Sequence, residues 1–388
     1  MTDSDPKEAA RSRFARFSAD LTQVSRAIHA HPELAYEEER ASGWICRVLE
    51  AAGMEVERGV GGVPTAFVAR AGSGRLQVAI CAEYDALPGL GHACGHNLIA
   101  ASSAGAGIAL SEIADDLDMT IRVIGTPAEE LGDGGGKIVL LEAGIFDGVQ
   151  AALMAHPGPV DVAKPPMLAC ATFDVHYRGV EAHASAFPEL GVNAADALTV
   201  AQTAIGLLRQ QMGRNDRVHG IVTKGGDAPN IIPGHTSARY IVRATTLGEL
   251  DSIKQKVWRC FEAGALASGA SMEIRGGEKP YAHMAHDHDL AGVYQANCEA
   301  LGRRFRDFGR ALERSAASTD MGNVSLECPS IHPIIGIESG GSVPHQPEFA
   351  RHCVGPSSER AMHDSALAMA WTAIDLATIP ELRARYAK

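Results

Sequence analysis

The chain has 388 residues, of which 46% are hydrophobic and 21% charged, an ordinary globular balance. A formal net charge of -12 disfavours nucleic acid and anionic membrane as partners, and no clustered basic run is read along the chain. No window approaches the ~18 uninterrupted apolar residues of a membrane span, so a small molecule is the expected partner.

That length exceeds what one core supports, and two domains are expected. Residues 1–7 are polar and acidic, without the apolar stretch of a secretory signal. The eight cysteines are scattered with no CxxC pair, which fits a reducing cytoplasm.

Phe14, Phe17, Leu21, Val24 and Ile28 recur at spacings of three and four, placing one apolar stripe on an N-terminal helix. His29 and His31 close it before Pro32 and read as capping or surface groups. A second helix over about 37–52 turns Trp44, Val48 and Ala52 to one side and stops at Gly53. Three apolar runs follow, 77–81, 120–125 and 151–155. Between the first two, the small-residue segment 97–117 reads as a crossover helix lying close on a sheet. If the runs are neighbouring parallel strands about 35 residues apart, a βαβ spacing, the groups that follow them meet at one sheet edge. The first run opens into Asp85, Cys94 and His96, the second into Glu129 and Glu130, the third into His156.

From 168 the texture changes. Residues 168–179 alternate apolar and polar, a half-exposed strand. A helix over 193–212 follows, then strands near 217–223 and 236–246. Leu250, Ile253, Val257 and Phe261 lie at helical spacing, and a strand is expected at 271–276. The order β-α-β-β-α-β is that of a ferredoxin-like module, here inserted as a second domain over 168–280. The remainder, 1–167 and 281–388, is expected to form an α/β domain with a mixed sheet flanked by helices, and the irregular segments 156–167 and 278–287 carry the crossings. Beyond them come a helix at 290–301, a polar loop at 318–323, an apolar run at 331–337, a Gly-rich loop at 340–345 and an amphipathic helix at 357–376.

The chemistry concentrates in 83–97. Cys94 and His96 can both reach one ion from a tight turn, because Gly95 lets the backbone fold closely. Glu129 and Glu130 are adjacent, and on extended backbone they cannot point the same way. One is therefore expected to bind metal while its neighbour takes protons from water. The loop Gly132-Asp-Gly-Gly-Gly136 suggests phosphate binding as an alternative, but it lacks the Lys-Ser/Thr of a P-loop and the Rossmann spacing.

Five segments, Glu83-Tyr-Asp-Ala-Leu-Pro-Gly89, Gly91-His-Ala-Cys-Gly-His-Asn97, Thr126-Pro-Ala-Glu-Glu130, Gly179-Val-Glu-Ala-His183 and Asn230-Ile-Ile-Pro233, together resemble a dinuclear metallopeptidase family. That family includes aminoacylases, peptidyl carboxypeptidases, plant auxin-conjugate amidohydrolases and p-aminobenzoyl-glutamate hydrolases. The first two segments look most like the aminobenzoyl-glutamate hydrolase and β-alanyl-lysine dipeptidase branch. The resemblance implies a zinc-exopeptidase-like catalytic domain whose inserted domain is a lid and the interface of a homodimer. It implies Cys94, His96, Glu130, His156 and His345 as ligands of two divalent ions, with Cys94 bridging them. It further implies Glu129 as general base, Asp85 orienting a His ligand, and His183 stabilising the oxyanion across the dimer interface. Asn230 and Arg243 would contact substrate, Arg243 through a free carboxylate. Glu83 stands where many relatives carry a His ligand, and Asn97 where related amidohydrolases have Asp. The first departure shifts weight onto Cys94, whose thiolate favours zinc, with manganese or cobalt as alternatives.

The expected reaction is hydrolysis of the amide bond of a small N-acyl amino acid or dipeptide, aminobenzoyl-glutamate-like or β-alanyl-lysine-like. Two readings of other classes stand beside it. One is a non-catalytic, metal-holding binding protein on the same fold. The other is a cysteine-dependent hydrolase with Cys94 as nucleophile, which leaves the two glutamates without a role. His92 and His332 read as structural, and Arg243 has the alternative of a solvated strand face shared with Arg239.

Overall fold

The computed structural model describes residues 5–306, 309 and 316–387; residues 1–4 of the polar N-terminal segment lie outside the described residues. The N-terminal stripe forms α1 (Pro6–Ala30), with Phe14, Leu21 and Ile28 buried. His31 caps that helix, its Nδ1 2.9 Å from the Ala27 carbonyl oxygen. α2 (Glu39–Ala51) follows; it buries Ile45, Val48 and Leu49, with Trp44 half-buried against the same core.

Six strands make the larger sheet: β1 (Glu55–Arg58), β2 (Phe67–Ala71), β3 (Leu76–Ala82), β4 (Met119–Gly125), β5 (Ala151–Leu153) and a two-residue strand at Ser330–Ile331, in the order β1-β2-β4-β3-β5 and then that last strand. β3 runs parallel to both β4 and β5, as the three apolar runs led us to expect. β1 and β2 join antiparallel and make the sheet mixed. Neither was read from the sequence: β1 is the short, polar Glu-Val-Glu-Arg, exposed on an edge.

Alternate residues of the sheet serve two cores. Val78, Ile80, Ile121, Val123 and Leu153 face the helical layer that contains α1 and α3 (His96–Leu110). Ala79, Cys81, Ile124 and Ala152 face the opposite layer, with α4 (Gly136–Glu142).

A short strand β6 (His156–Gly158) leaves β5 for a separate two-stranded sheet, where it pairs with Ile334–Gly336. The apolar run 331–337 is therefore not one strand. It splits at Pro333, which cannot donate to a ladder, into a piece in each sheet.

β7 (Ala169–Arg178), α5 (Ala194–Leu208), β8 (Arg217–Lys224), β9 (His235–Ala244), α6 (Leu247–Ser268) and β10 (Ser271–Gly276) build a second unit with its own core. Its antiparallel sheet has the order β10-β7-β9-β8, the ferredoxin-like arrangement.

The return segment carries α7 (His288–Ala300), α8 (Met321–Glu327), β11 (Ser330–Ile331), β12 (Ile334–Gly336), α9 (Pro347–His352), α10 (Pro356–Thr378) and α11 (Pro380–Tyr386). Two expectations are corrected here. The segment 318–323 is the start of α8 rather than a loop throughout. α10 buries nearly its whole circumference, including Ala366, Ala370 and Ile374, because other helices and the sheet enclose it. Arg303, Arg304 and Arg306, close together in the sequence, line one surface groove with Arg360, Asp161 and Glu338. No helix among the described residues is long and apolar enough to cross a membrane.

Candidate metal centre

Strand register sets the site. Ala82 of β3 is level with Gly125 of β4, and the Thr126 N–H donates to the Ala82 carbonyl at 2.8 Å, so 83–85 and 126–130 leave the sheet side by side. β5, on the other side of β3, ends three residues before His156. α3 starts at His96 from Gly95, whose φ of 81° lies in the left-handed region. A Cβ there would come within 2.5 Å of Pro157, so glycine allows the Cys94–His96 turn to close against His156. The loop carrying His345 is tied in by its own backbone, the His345 N–H donating to the Ala93 carbonyl at 2.9 Å.

These connections bring together residues spread over more than 260 positions. Cys94 Sγ lies 3.3 Å from His156 Nε2 and 3.6 Å from His345 Nε2. Glu130 Oε2 is 3.5 Å from His345 Nε2, and His96 Nε2 is 3.8 Å from Glu130 Oε1 and 3.9 Å from Glu129 Oε2. Two donor triads result, Cys94–His96–His156 and Cys94–Glu130–His345, and they share the thiol. Glu83, His96 and Glu129 form a third group.

The fit to metal is testable on orphaned atoms. His96 Nε2, Glu130 Oε1 and Glu83 Oε2 are buried without a hydrogen-bond partner, and each belongs to one of the donor groups. Buried polar atoms are normally paired, and soft sulfur with imidazole and carboxylate is a donor set for zinc-like ions. The residues present fit divalent metal.

Asp85 holds the arrangement from behind. One carboxylate oxygen is 2.9 Å from His96 Nδ1 and the other accepts the Glu130 N–H at 2.9 Å, fixing which ring nitrogen faces the cluster. Burial works against charge on His96, but Asp85 overrides it and holds the imidazole well above its ordinary value. His156 is pushed the other way, to about 4, by burial and then by His96. Burial raises Glu130 to about 7, and burial with the neighbouring Glu83 and Glu130 carries Glu129 well above the carboxylate range.

Glu129 and Glu130 are not on extended backbone, and a carboxylate oxygen of each approaches the same His96 Nε2. They sit in a 3-10 turn (Glu129–Leu131) after Ala128, a left-handed residue with φ 62°. His332, read as structural, is buried and stacks on His156 with ring centroids 5.5 Å apart. His92 is likewise buried.

Three predicted residues do not join the donor cluster within this chain. His183 is part of the second unit, where its Nδ1 accepts the Ala186 and Ser185 N–H groups at 3.2 and 3.3 Å. Asn230 is its neighbour, its carbonyl accepting the Ala184 N–H. Arg243, on β9, reaches the loop before α8, donating to Ser318 Oγ at 2.6 Å.

A buried charge triad went unseen in the sequence. Lys137, fully enclosed, lies 2.5 Å from Glu83 Oε1 and 2.6 Å from Asp320 Oδ1. Burial disfavours its ammonium, yet Asp320 and Glu83 more than compensate and raise it. Burial by itself would raise Glu83, but Lys137 wins and lowers it, so Glu83 is ion-paired on one oxygen and turned to His96 Nε2, at 3.5 Å, with the other. The only local signal was a lysine directly after the Gly-rich loop.

The chain is similar to several known proteins. Residues 79–358 match the profile of peptidase family M20/M25/M40. A Xaa-Arg dipeptidase of Mus musculus is 40% identical over 97% of this chain and 90% of that protein. A p-aminobenzoyl-glutamate hydrolase chain of Escherichia coli K12 is 32% identical over 70% of this chain and 59% of that protein. A solved Bacillus subtilis structure, described as a dinuclear metal binding peptidase of the M20 family, superposes with a TM-score of 0.68 at 24% identity, covering 93% of this chain and 99% of that one. With its donor triads at one edge of a mixed sheet and a ferredoxin-like unit inserted, this chain belongs to peptidase family M20/M25/M40.

Proposed function

We propose that the chain is a dinuclear-metal amidohydrolase acting on dipeptides or N-acyl amino acids that carry a free carboxylate. Hydrolysis of amide or peptide bonds follows from its family; the substrate class is our reading of its likeness to a Xaa-Arg dipeptidase and a p-aminobenzoyl-glutamate hydrolase. The observation that carries it is the pair of donor triads sharing Cys94 with Glu129 beside them.

In this reading Cys94, His96, Glu130, His156 and His345 hold two divalent ions, zinc by the thiolate's preference, with manganese or cobalt as alternatives. When bound, such ions lower the pKa of water and polarise the scissile carbonyl. Glu129 takes the proton of the attacking water and delivers it to the leaving amine. Its buried position beside two carboxylates supports that role, since a raised pKa suits a group that must both accept and return a proton. Asp85 keeps His96 Nε2 pointed at the cluster. Arg243 pairs with the substrate carboxylate, and Asn230 and His183 contact substrate from the inserted unit, taken as 168–280 between the two segments of the catalytic domain, 1–167 and 281–388. All eight cysteines are free, which supports a reducing, cytoplasmic setting.

A cysteine hydrolase is the second reading, because Cys94 Sγ and His156 Nε2 stand 3.3 Å apart as a thiol–imidazole pair would. One experiment separates the two. Glu129→Gln should abolish turnover of a dipeptide panel while two ions per chain remain by elemental analysis. Undiminished turnover would remove Glu129 from the mechanism and favour the thiol.

A further inference from the structure

We propose that Glu38 is a positioning residue for this reaction: from the start of α2 its carboxylate locks Ala128 in the left-handed conformation that aims Glu129. The inference rests on the assignment of Glu129 as base.

Ala128 has φ 62° and ψ 41°. For a residue with a Cβ that conformation costs about 1–2 kcal/mol, and it persists only where its surroundings enforce it. The enforcement is visible peptide by peptide. The Pro127 carbonyl accepts the Gly136 N–H at 3.1 Å, and the Glu130 N–H goes to Asp85. The Tyr281 hydroxyl donates to the Glu129 carbonyl at 2.7 Å. The N–H of the strained residue itself is held by one group, Glu38 Oε1, at 2.9 Å.

Glu38 is fully buried, and its other carboxylate oxygen has no hydrogen-bond partner. Glu38 is in no ion pair found among the described residues, unlike Glu83 with its lysine. A buried carboxylate without a counter-charge is costly to keep, and a purely architectural position would be filled better by an apolar side chain. Besides interacting with its own N–H and that of Tyr36, Glu38 gives in return a charge-assisted bond to the one N–H that decides the direction of the next side chain. With Ala128 relaxed to negative φ, the following peptide rotates. Glu129 would then leave its place beside His96 while Glu130 stays tethered by Asp85.

The test uses the metal-loaded full chain, with kcat, KM and metal content measured for Glu38→Ala, Glu38→Gln and the double variant Glu38→Ala with Ala128→Gly. Glu38→Ala should lose about 10- to 100-fold in kcat, the usual range for a supporting group of this kind, with KM and metal content unchanged. Glu38→Gln, whose side-chain carbonyl accepts the same N–H, should stay within about threefold of wild type. The double variant should recover much of the loss, because glycine adopts positive φ without a Cβ penalty. Wild-type kcat in Glu38→Ala, an equal loss in Glu38→Gln, loss of metal, or no recovery in the double variant would each overturn the proposal. If Glu38→Ala does not fold, Glu38→Asp carries the same expectations, since it keeps the charge but withdraws it by one methylene. An active Glu129→Gln would sink the assignment of the base, whereas an inactive one beside an undiminished Glu38→Ala sinks this inference alone.

Discussion

Glu38 and Lys137 are both enclosed by protein, yet their charges respond to burial in opposite ways. Lys137 stays charged because two carboxylates reach it from β3's end and from the residue before α8. Glu38 has no such partner; burial first, and Asp85 second, push its carboxyl up to about 7. In the unfolded chain the same group would titrate near 4.5. The folded protein therefore holds this proton more tightly between those two values. Its contribution to stability is full below pH 4.5 and is lost as pH rises through 7. At ~1.4 kcal/mol per pH unit the whole effect is roughly 3 kcal/mol. We expect Glu38→Gln to have a flatter decline in unfolding free energy between pH 5 and pH 8 than wild type, measured by urea titration. Parallel curves for the two proteins would place the proton elsewhere.

Among the elements, α3 determines most about the site, because His96 is its first residue and all fifteen of its positions are buried. Small residues make that possible. A Cβ on Gly107 would collide with Val123 Cγ2 of β4, and one on Gly105 would come within 2.8 Å of Phe14. Gly107→Ala should therefore destabilise the fold by about 1–3 kcal/mol, and Val123→Ala in the same chain should return part of it. Additive losses in the double variant would mean that α3 does not bear on β4 at that point. The sequence made α3 legible as a small-residue crossover, and the strands on either side of it by their unbroken apolar runs. It made Cys94, His96, Glu130 and His156 legible as candidates because each follows an apolar run, while the full donor set, His345 included, came from the family resemblance. It hid Lys137 and Glu38, whose burial depends on partners 54 and 90 positions away or more. It also hid the left-handed Ala128, since alanine carries no sign of positive φ, so the backbone expected to be extended at the two glutamates is a turn instead.

At the scale of the whole molecule, the unit built on β7–β10 carries the most exposed large apolar side chains among the described residues. Phe187, Leu190, Leu207 and Ile221 are 57%, 67%, 73% and 67% exposed, and β8 is an edge strand paired only with β9. Apolar residues gathered on one unit beside an open strand edge fit a surface covered by a second copy. That arrangement would also account for His183, which the family resemblance assigns to the reaction but which does not join the donor groups of its own chain. If a second copy supplies it, Glu129→Gln and His183→Ala are each inactive alone, yet their hybrid dimer contains one site with both groups intact. Equal mixing then gives about a quarter of wild-type activity, because half the dimers are hybrids with one competent site of two. A histidine working within its own chain predicts no recovery at all, since every site in the mixture would lack one group or the other. Sedimentation of the same mixture distinguishes that result from a failure to associate. A monomeric species would withdraw the shared site, leaving His183 to reach its own cluster only by a closure of the inserted unit that Arg243 and Ser318 already span.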